Sequence, residues 1–149
     1  MNQSKSKLIF FLLGLYFFLN LFFLDSYPFV HSDEAWLASL TRSIITEKNP
    51  AATEEFFRST DRFPHAVKLL FHIFQAPFLM MDFSINTARL FSIITSVCVL
   101  YFLNLLIKQY ISSSFIRIIT LLLILTDIQY IYISRFARQE IIIYLFAVI

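Results

Sequence analysis

Glycine is nearly missing from this chain, with Gly14 the only one in 149 residues. A phosphate-cradling glycine loop therefore cannot be built from these residues, and no Gly-x-Ser-x-Gly nucleophile elbow is present. Cysteine is as scarce: Cys98 stands alone in an apolar stretch, which excludes an internal disulfide and a cysteine metal cluster. No His-Glu-x-x-His zinc helix occurs. Charge is thin, at 15% of residues, where a soluble domain carries roughly 25%. The few basic residues are scattered without a patch or stripe, so the net charge of +2 does not point to nucleic acid.

Apolar residues are abundant instead, at 58%, the composition of an integral membrane protein. A short polar lead with Lys5 and Lys7 precedes Leu8–Leu24, which carries no charge. No small-x-small cleavage site follows, so this run reads as a first spanning helix with a cytoplasmic N-terminus. Residues 25–64 form the one long polar region, expected outside the cytoplasm. Within it, Ser32 is placed to cap a helix with Asp33 and Glu34 in its first turn. Trp36, Leu37, Leu40 and Ile44 recur at helical spacing opposite Ser39, Arg42, Ser43 and Glu47, the pattern of a helix lying in the membrane interface. Asn49-Pro50 ends it, and a second short helix is expected over Ala51 to Arg58.

Further apolar runs cover residues 65–81, 87–107 and 115–133, and a last run over 141–149 stops at about half the 20 residues that a span needs. The chain thus reads as the N-terminal part of a larger multi-pass protein. The expected fold is all-α: a polytopic transmembrane helix bundle with an external loop bearing interfacial amphipathic helices. Two topologies stand open. If every run crosses, Asp33 and Glu140 lie on opposite faces. If 65–81, weakened as a span by Lys68, His72 and Gln75, is re-entrant, both acids share the outer face and Lys108 lies inside, as the positive-inside rule prefers.

Four groups carry chemical potential. Ser32-Asp33-Glu34-Ala35 sets two carboxylates where the chain leaves the membrane, as a general base, a cation ligand or simply a capped helix start. Asp127, deep in the run 115–133, costs about 3 kcal/mol if ionised at mid-membrane and is expected to face the bundle and pair. Arg135 and Arg138, three residues apart on a helical turn, can share a face and grip a lipid phosphate, with Glu140 beside them; a positive-inside anchor is the other reading. His65, Lys68 and His72 fall along one helical face, where Lys68 could take a phosphate and the two histidines are a weak metal signal. Arg89, opening a helix, reads as a topology anchor or headgroup contact without chemistry.

In order and spacing these residues resemble the N-terminal module of the GT-C glycosyltransferases, in particular the protein O-mannosyltransferase and aminoarabinose-transferase branch. Asp33-Glu34 sits where those enzymes have the acidic pair of their first external loop. Phe63-Pro64-His65-Ala66-Val67-Lys68 is similar to their His-Pro-Pro-Leu-Gly-Lys, keeping one proline and the lysine. Asp127, Ser134-Arg135 and Glu140 follow the spacing of an Asp, a Ser-Arg and a later Asp, and Ala88-Arg89-Leu90-Phe91-Ser92 looks like the Arg-Leu-x-Ser that opens a following helix. The resemblance implies an inverting glycosyltransferase that takes a sugar from a polyprenyl-phosphate-linked donor in the bilayer to an acceptor at the outer face. On it, Asp33 is the base or acceptor-orienting carboxylate, supported by Glu34. Lys68, Arg135 and Arg138 hold the lipid phosphate, and Glu140 positions the acceptor or a divalent cation. No resident metal site or nucleic-acid partner is implied.

Overall fold

The computed structural model describes residues 3–49 and 69–149, with side chains from Ser6 onward. The expected helix over Ala51 to Arg58, the Phe63-to-Lys68 motif, and with them His65 and Lys68 as site residues, lie outside the described residues. The rest is all-helical, without a strand: α1 (Gln3–Leu21), α2 (Ser32–Glu47), α3 (Leu69–Met81), α4 (Ile85–Tyr110), α5 (Ser114–Leu125), α6 (Ile128–Arg135) and α7 (Glu140–Val148).

The hub is α4. It is capped at its start by a reciprocal Ser84–Thr87 box and carries Lys108 in its last turn. Its 26 residues, with a mean hydropathy of 2.3 over the most apolar 18, make it the one described helix long and apolar enough to cross a membrane alone. At 1.5 Å per residue it rises about 39 Å, beyond the roughly 30 Å hydrocarbon core. Against one side pack α1 and α5, through Ile9, Leu13, Tyr16, Leu100, Leu121 and Leu125. Against the other pack α3 and α7, with α2 packed on α3, through Leu37, Phe71, Phe91, Val99, Ile141 and Ile142. On α1 and α5 the contributing residues recur every three or four positions, the spacing that keeps side chains on one helical face.

Three expectations change. The run 115–133 does not form one helix: α5 and α6 meet at a bend of 59°. Thr126 turns its hydroxyl back onto the Leu122 carbonyl (2.8 Å), and the Asp127 carboxylate accepts from the Tyr130 amide (2.7 Å), so side chains replace the helical ladder at that point. Asp127 is thereby an exposed N-cap, neither facing the bundle interior nor joined to the acidic rim. The described part of α3, 13 residues, rises about 20 Å, less than the hydrocarbon core, as the re-entrant reading of 65–81 allows. The cap of α2 is His31, not Ser32: its ring accepts from the Asp33 amide (3.2 Å) while Glu34 reaches back to the His31 amide (3.1 Å).

The buried face of α2 is also more polar than its apolar spacing suggests. Thr41 sits fully buried and donates to Gln75 (2.6 Å), with the His72 ring 2.7 Å away. Ala38 packs with Leu79 nearer the start of α2. Along α2 the partners on α3 run backwards, so the two helices are antiparallel. The start of α2 then lies beside the end of α3 and the start of α4, at the same end of the bundle as the end of α1.

Candidate functional site

At that end a carboxylate and a guanidinium close on each other out of water. Glu34 and Arg89 are both fully buried. Glu34 Oε1 accepts from Arg89 Nε (2.9 Å) and from the Ala137 amide (2.8 Å). Oε2 accepts from Arg89 Nη2 (2.7 Å) and from the His31 amide (3.1 Å). All the acceptor positions of the carboxylate are filled. Arg89 Nη1 donates to the Leu24 carbonyl (2.6 Å), and the guanidinium lies 5.8 Å from the Phe136 ring. One ion pair thus ties the turn after α1, the start of α2, the start of α4 and the α6–α7 link. Glu34 has no free lone pair and no exposed surface, so chemically it positions its neighbours.

Its neighbour Asp33 points the other way. One residue turns a helix by about 100°, so a buried Glu34 leaves Asp33 outside, with 47% of its side chain exposed. Asp33 Oδ2 lies 3.5 Å from Arg138 Nη2 and 3.6 Å from His31 Nδ1. The same Arg138 nitrogen is 2.8 Å from Glu140 Oε1. Asp33, Arg138 and Glu140 therefore form a half-exposed chain of alternating charge on the rim, anchored from below by Glu34's bond to the Ala137 amide. Glu140 Oε2 is turned inward, without a hydrogen-bond partner among the described residues. Charges spaced this way can take a proton from a hydroxyl at Asp33 and offer a cation to an anionic group at Arg138.

Arg135 does not share this surface. The helix ends at Arg135 and Phe136 is extended (φ −90°, ψ 134°), which breaks the helical offset that would bring Arg135 and Arg138 onto one face. Arg135 is buried, donates to the Phe22 carbonyl and packs its guanidinium 5.5 Å from the Tyr27 ring. Tyr16 donating to Ser134 (2.8 Å) and Tyr130 donating to the Ser96 carbonyl (2.7 Å) hold α6 against α1 and α4. That fixes where the α6–α7 link, and so Arg138, comes to the rim. Among the described residues no group of three or more His, Cys, Asp or Glu side chains is placed to hold a metal.

The sequence reading missed Arg89 as part of this site. The signal was available: a basic residue in the first turns of an apolar helix and an acid at the third position of the earlier helix α2 are both costly to bury unless they meet. Comparison with protein-family models, with curated proteins and with solved structures finds no match to this chain.

Proposed function

We propose that this chain is part of a multi-pass membrane glycosyltransferase that moves a sugar from a polyprenyl-phosphate-linked donor to an acceptor at the outer membrane face. The observation that carries the reading is the meeting of Asp33, Arg138 and Glu140 on one rim; Asp33 and Glu140 stand at acidic positions of the GT-C pattern, while its Ser-Arg falls on Ser134-Arg135, which turns inward. Orientation follows from the charges. The α1 start with Lys7, and the α4 end with Lys108, lie opposite the rim, which agrees with a cytoplasmic basic end and an outer acidic end.

In the proposed step Asp33 accepts the proton of the acceptor hydroxyl or amine as its oxygen or nitrogen bonds to the anomeric carbon. The bond from that carbon to the phosphate oxygen breaks, its electron pair leaves with the lipid phosphate, and the anomeric centre inverts. Arg138 lies where it can meet the charge growing on the phosphate, with Lys68 assigned the same role by the family pattern. Glu140 holds Arg138 in place and offers an acceptor contact. Arg135, inward and bound to backbone, supports the rim.

Replacing Asp33 with Asn in the full-length protein, in membranes supplied with lipid-linked sugar, tests this. Loss of a general base lowers turnover by about 10²- to 10⁴-fold. Unchanged turnover removes Asp33 from the chemistry. A second reading, a transporter or flippase subunit, draws on one observation: a broken span with an acid at the break is how many transporters build ion sites. Transport that depends on Asp127 and is indifferent to Asp33 selects it.

A further inference from the structure

An N-cap side chain is ordinarily Ser, Thr, Asp or Asn. In this chain Ser32 stands at the start of α2, yet the cap is His31, whose Nδ1 accepts from the Asp33 amide (3.2 Å). That bond requires a lone pair on Nδ1, so the proton of the neutral ring sits on Nε2. The ring is half-exposed and lies edge-on to Phe136, the centroids 6.4 Å apart. Unlike the usual caps, a histidine changes its charge near neutral pH.

The same Nδ1 stands 3.6 Å from Asp33 Oδ2. Arg138 Nη2 stands 3.5 Å from that same oxygen. Two groups able to carry positive charge thus address one carboxylate oxygen. Arg138 is also 2.8 Å from Glu140 Oε1, so it can release Asp33 and stay on the rim. The charges around His31 leave room for a second cation. Glu34 on α2 is cancelled by Arg89 of α4, and its Oε2 accepts from the His31 amide. Arg135 of α6 is turned to the Phe22 carbonyl and the Tyr27 ring. That leaves Arg138 alone between the carboxylates of Asp33 on α2 and Glu140 on α7. A proton on Nδ1 ends the capping bond, because the nitrogen then has no lone pair to offer. It gains a bond between full charges at Asp33, roughly twice as strong as a neutral one. The positive end of the α2 dipole opposes a charged ring there, and Asp33 is the group that offsets it.

We propose that His31 is a positioning residue that sets the partner of Asp33. Neutral, it caps α2 and leaves Asp33 Oδ2 to Arg138, open to accept a proton. Protonated from water, it donates Nδ1–H to Oδ2, occupies the oxygen that a base would use, and leaves Arg138 to Glu140. The consequence for turnover rests on the sugar-transfer reading; the exchange of partners does not.

Two measurements on the full chain test this. In nitrogen-15 NMR of histidine-labelled protein in detergent, the signal lost in both His31→Asn and His31→Ala is that of His31. Its neutral form should carry the proton on Nε2, and Asp33→Asn should move its titration to lower pH, because the charged ring loses its carboxylate. A neutral ring protonated on Nδ1, or a titration indifferent to Asp33→Asn, overturns the proposal whatever the chain catalyses. In membranes supplied with lipid-linked sugar, turnover of the unaltered chain should fall about tenfold between about pH 8 and 5.5, the effect of one proton on a histidine. His31→Asn keeps a capping oxygen and takes no proton in this range. Its turnover should therefore be nearly level over the same interval, with an unfolding midpoint close to that of the unaltered protein. His31→Ala, which loses the cap as well, should give the same level profile at lower stability. An acid fall that persists in His31→Asn overturns the proposal. Absence of transfer at every pH, with the ring's titration still coupled to Asp33, sinks the sugar-transfer reading and supports the exchange of partners.

Discussion

Asp33 and Glu34 are chemically near-equal in the sequence and opposite in the structure. Glu34 meets Arg89 with neither group exposed, and such a pair is stable only while every partner is present. Arg89→Ala strands a buried carboxylate and is expected to lower stability by about 3–5 kcal/mol, read as the unfolding midpoint of the purified protein in denaturant. The double change Glu34→Leu with Arg89→Met should recover most of that loss, because apolar groups of similar volume replace a buried pair at little cost. Failure of the double variant to recover would mean that the backbone bonds to His31, Ala137 and Leu24, rather than the ion pair, hold the rim. The presence of an acidic feature at this place was legible in the sequence, from Ser32-Asp33-Glu34-Ala35 just past the first apolar run. Which acid turns inward was not, because it depends on an arginine that only tertiary packing brings near. Periodicity within 32–47 likewise favoured Trp36 and Ile44, yet Thr41 and Ala38 are the more buried, since the partner face on α3 brings His72 and Gln75.

At the scale of whole elements, the sequence is most readable where carbon dominates and least where a polar residue interrupts it. The expectation of a helix over 87–107 is met by α4, lengthened at both ends by its caps. The run 115–133 has the same hydropathy character but bends by 59°. Average hydropathy counts carbon and does not register Thr126 and Asp127 bonding to the backbone. The two readings of Asp127 separate by substitution. As an N-cap alone, Asp127→Ala should cost about 0.5–2 kcal/mol of stability, while Asp127→Asn, nearly as good a cap, should be tolerated. Thermal unfolding of the two variants checks this. An Asn variant that keeps its stability and loses a transport or transfer activity would show that the charge itself, and not the cap, is what the break presents.

For the molecule as a whole, the decisive relation is that chain ends far apart in sequence arrive at one rim. The end of α1 meets α4 through Leu24 and Arg89, α2 begins there, and the α6–α7 link returns there through Ala137 and Arg138. The described 13 residues of α3 rise about 20 Å, less than a membrane core, so they do not by themselves set Asp33 and Glu140 on opposite faces. Their shared contact with Arg138 puts them at one end of the bundle, so in a membrane both would face the same side. Cysteines introduced one at a time at positions 7, 33, 108 and 140, in a Cys98→Ser background, make that relation measurable. With a membrane-impermeant thiol reagent on intact cells, positions 33 and 140 should label together, and positions 7 and 108 only after permeabilisation. Labelling of 33 and 140 from opposite sides would separate the proposed base from the arginine that balances it, and a lipid phosphate held at the rim would then have no carboxylate within reach to activate its acceptor.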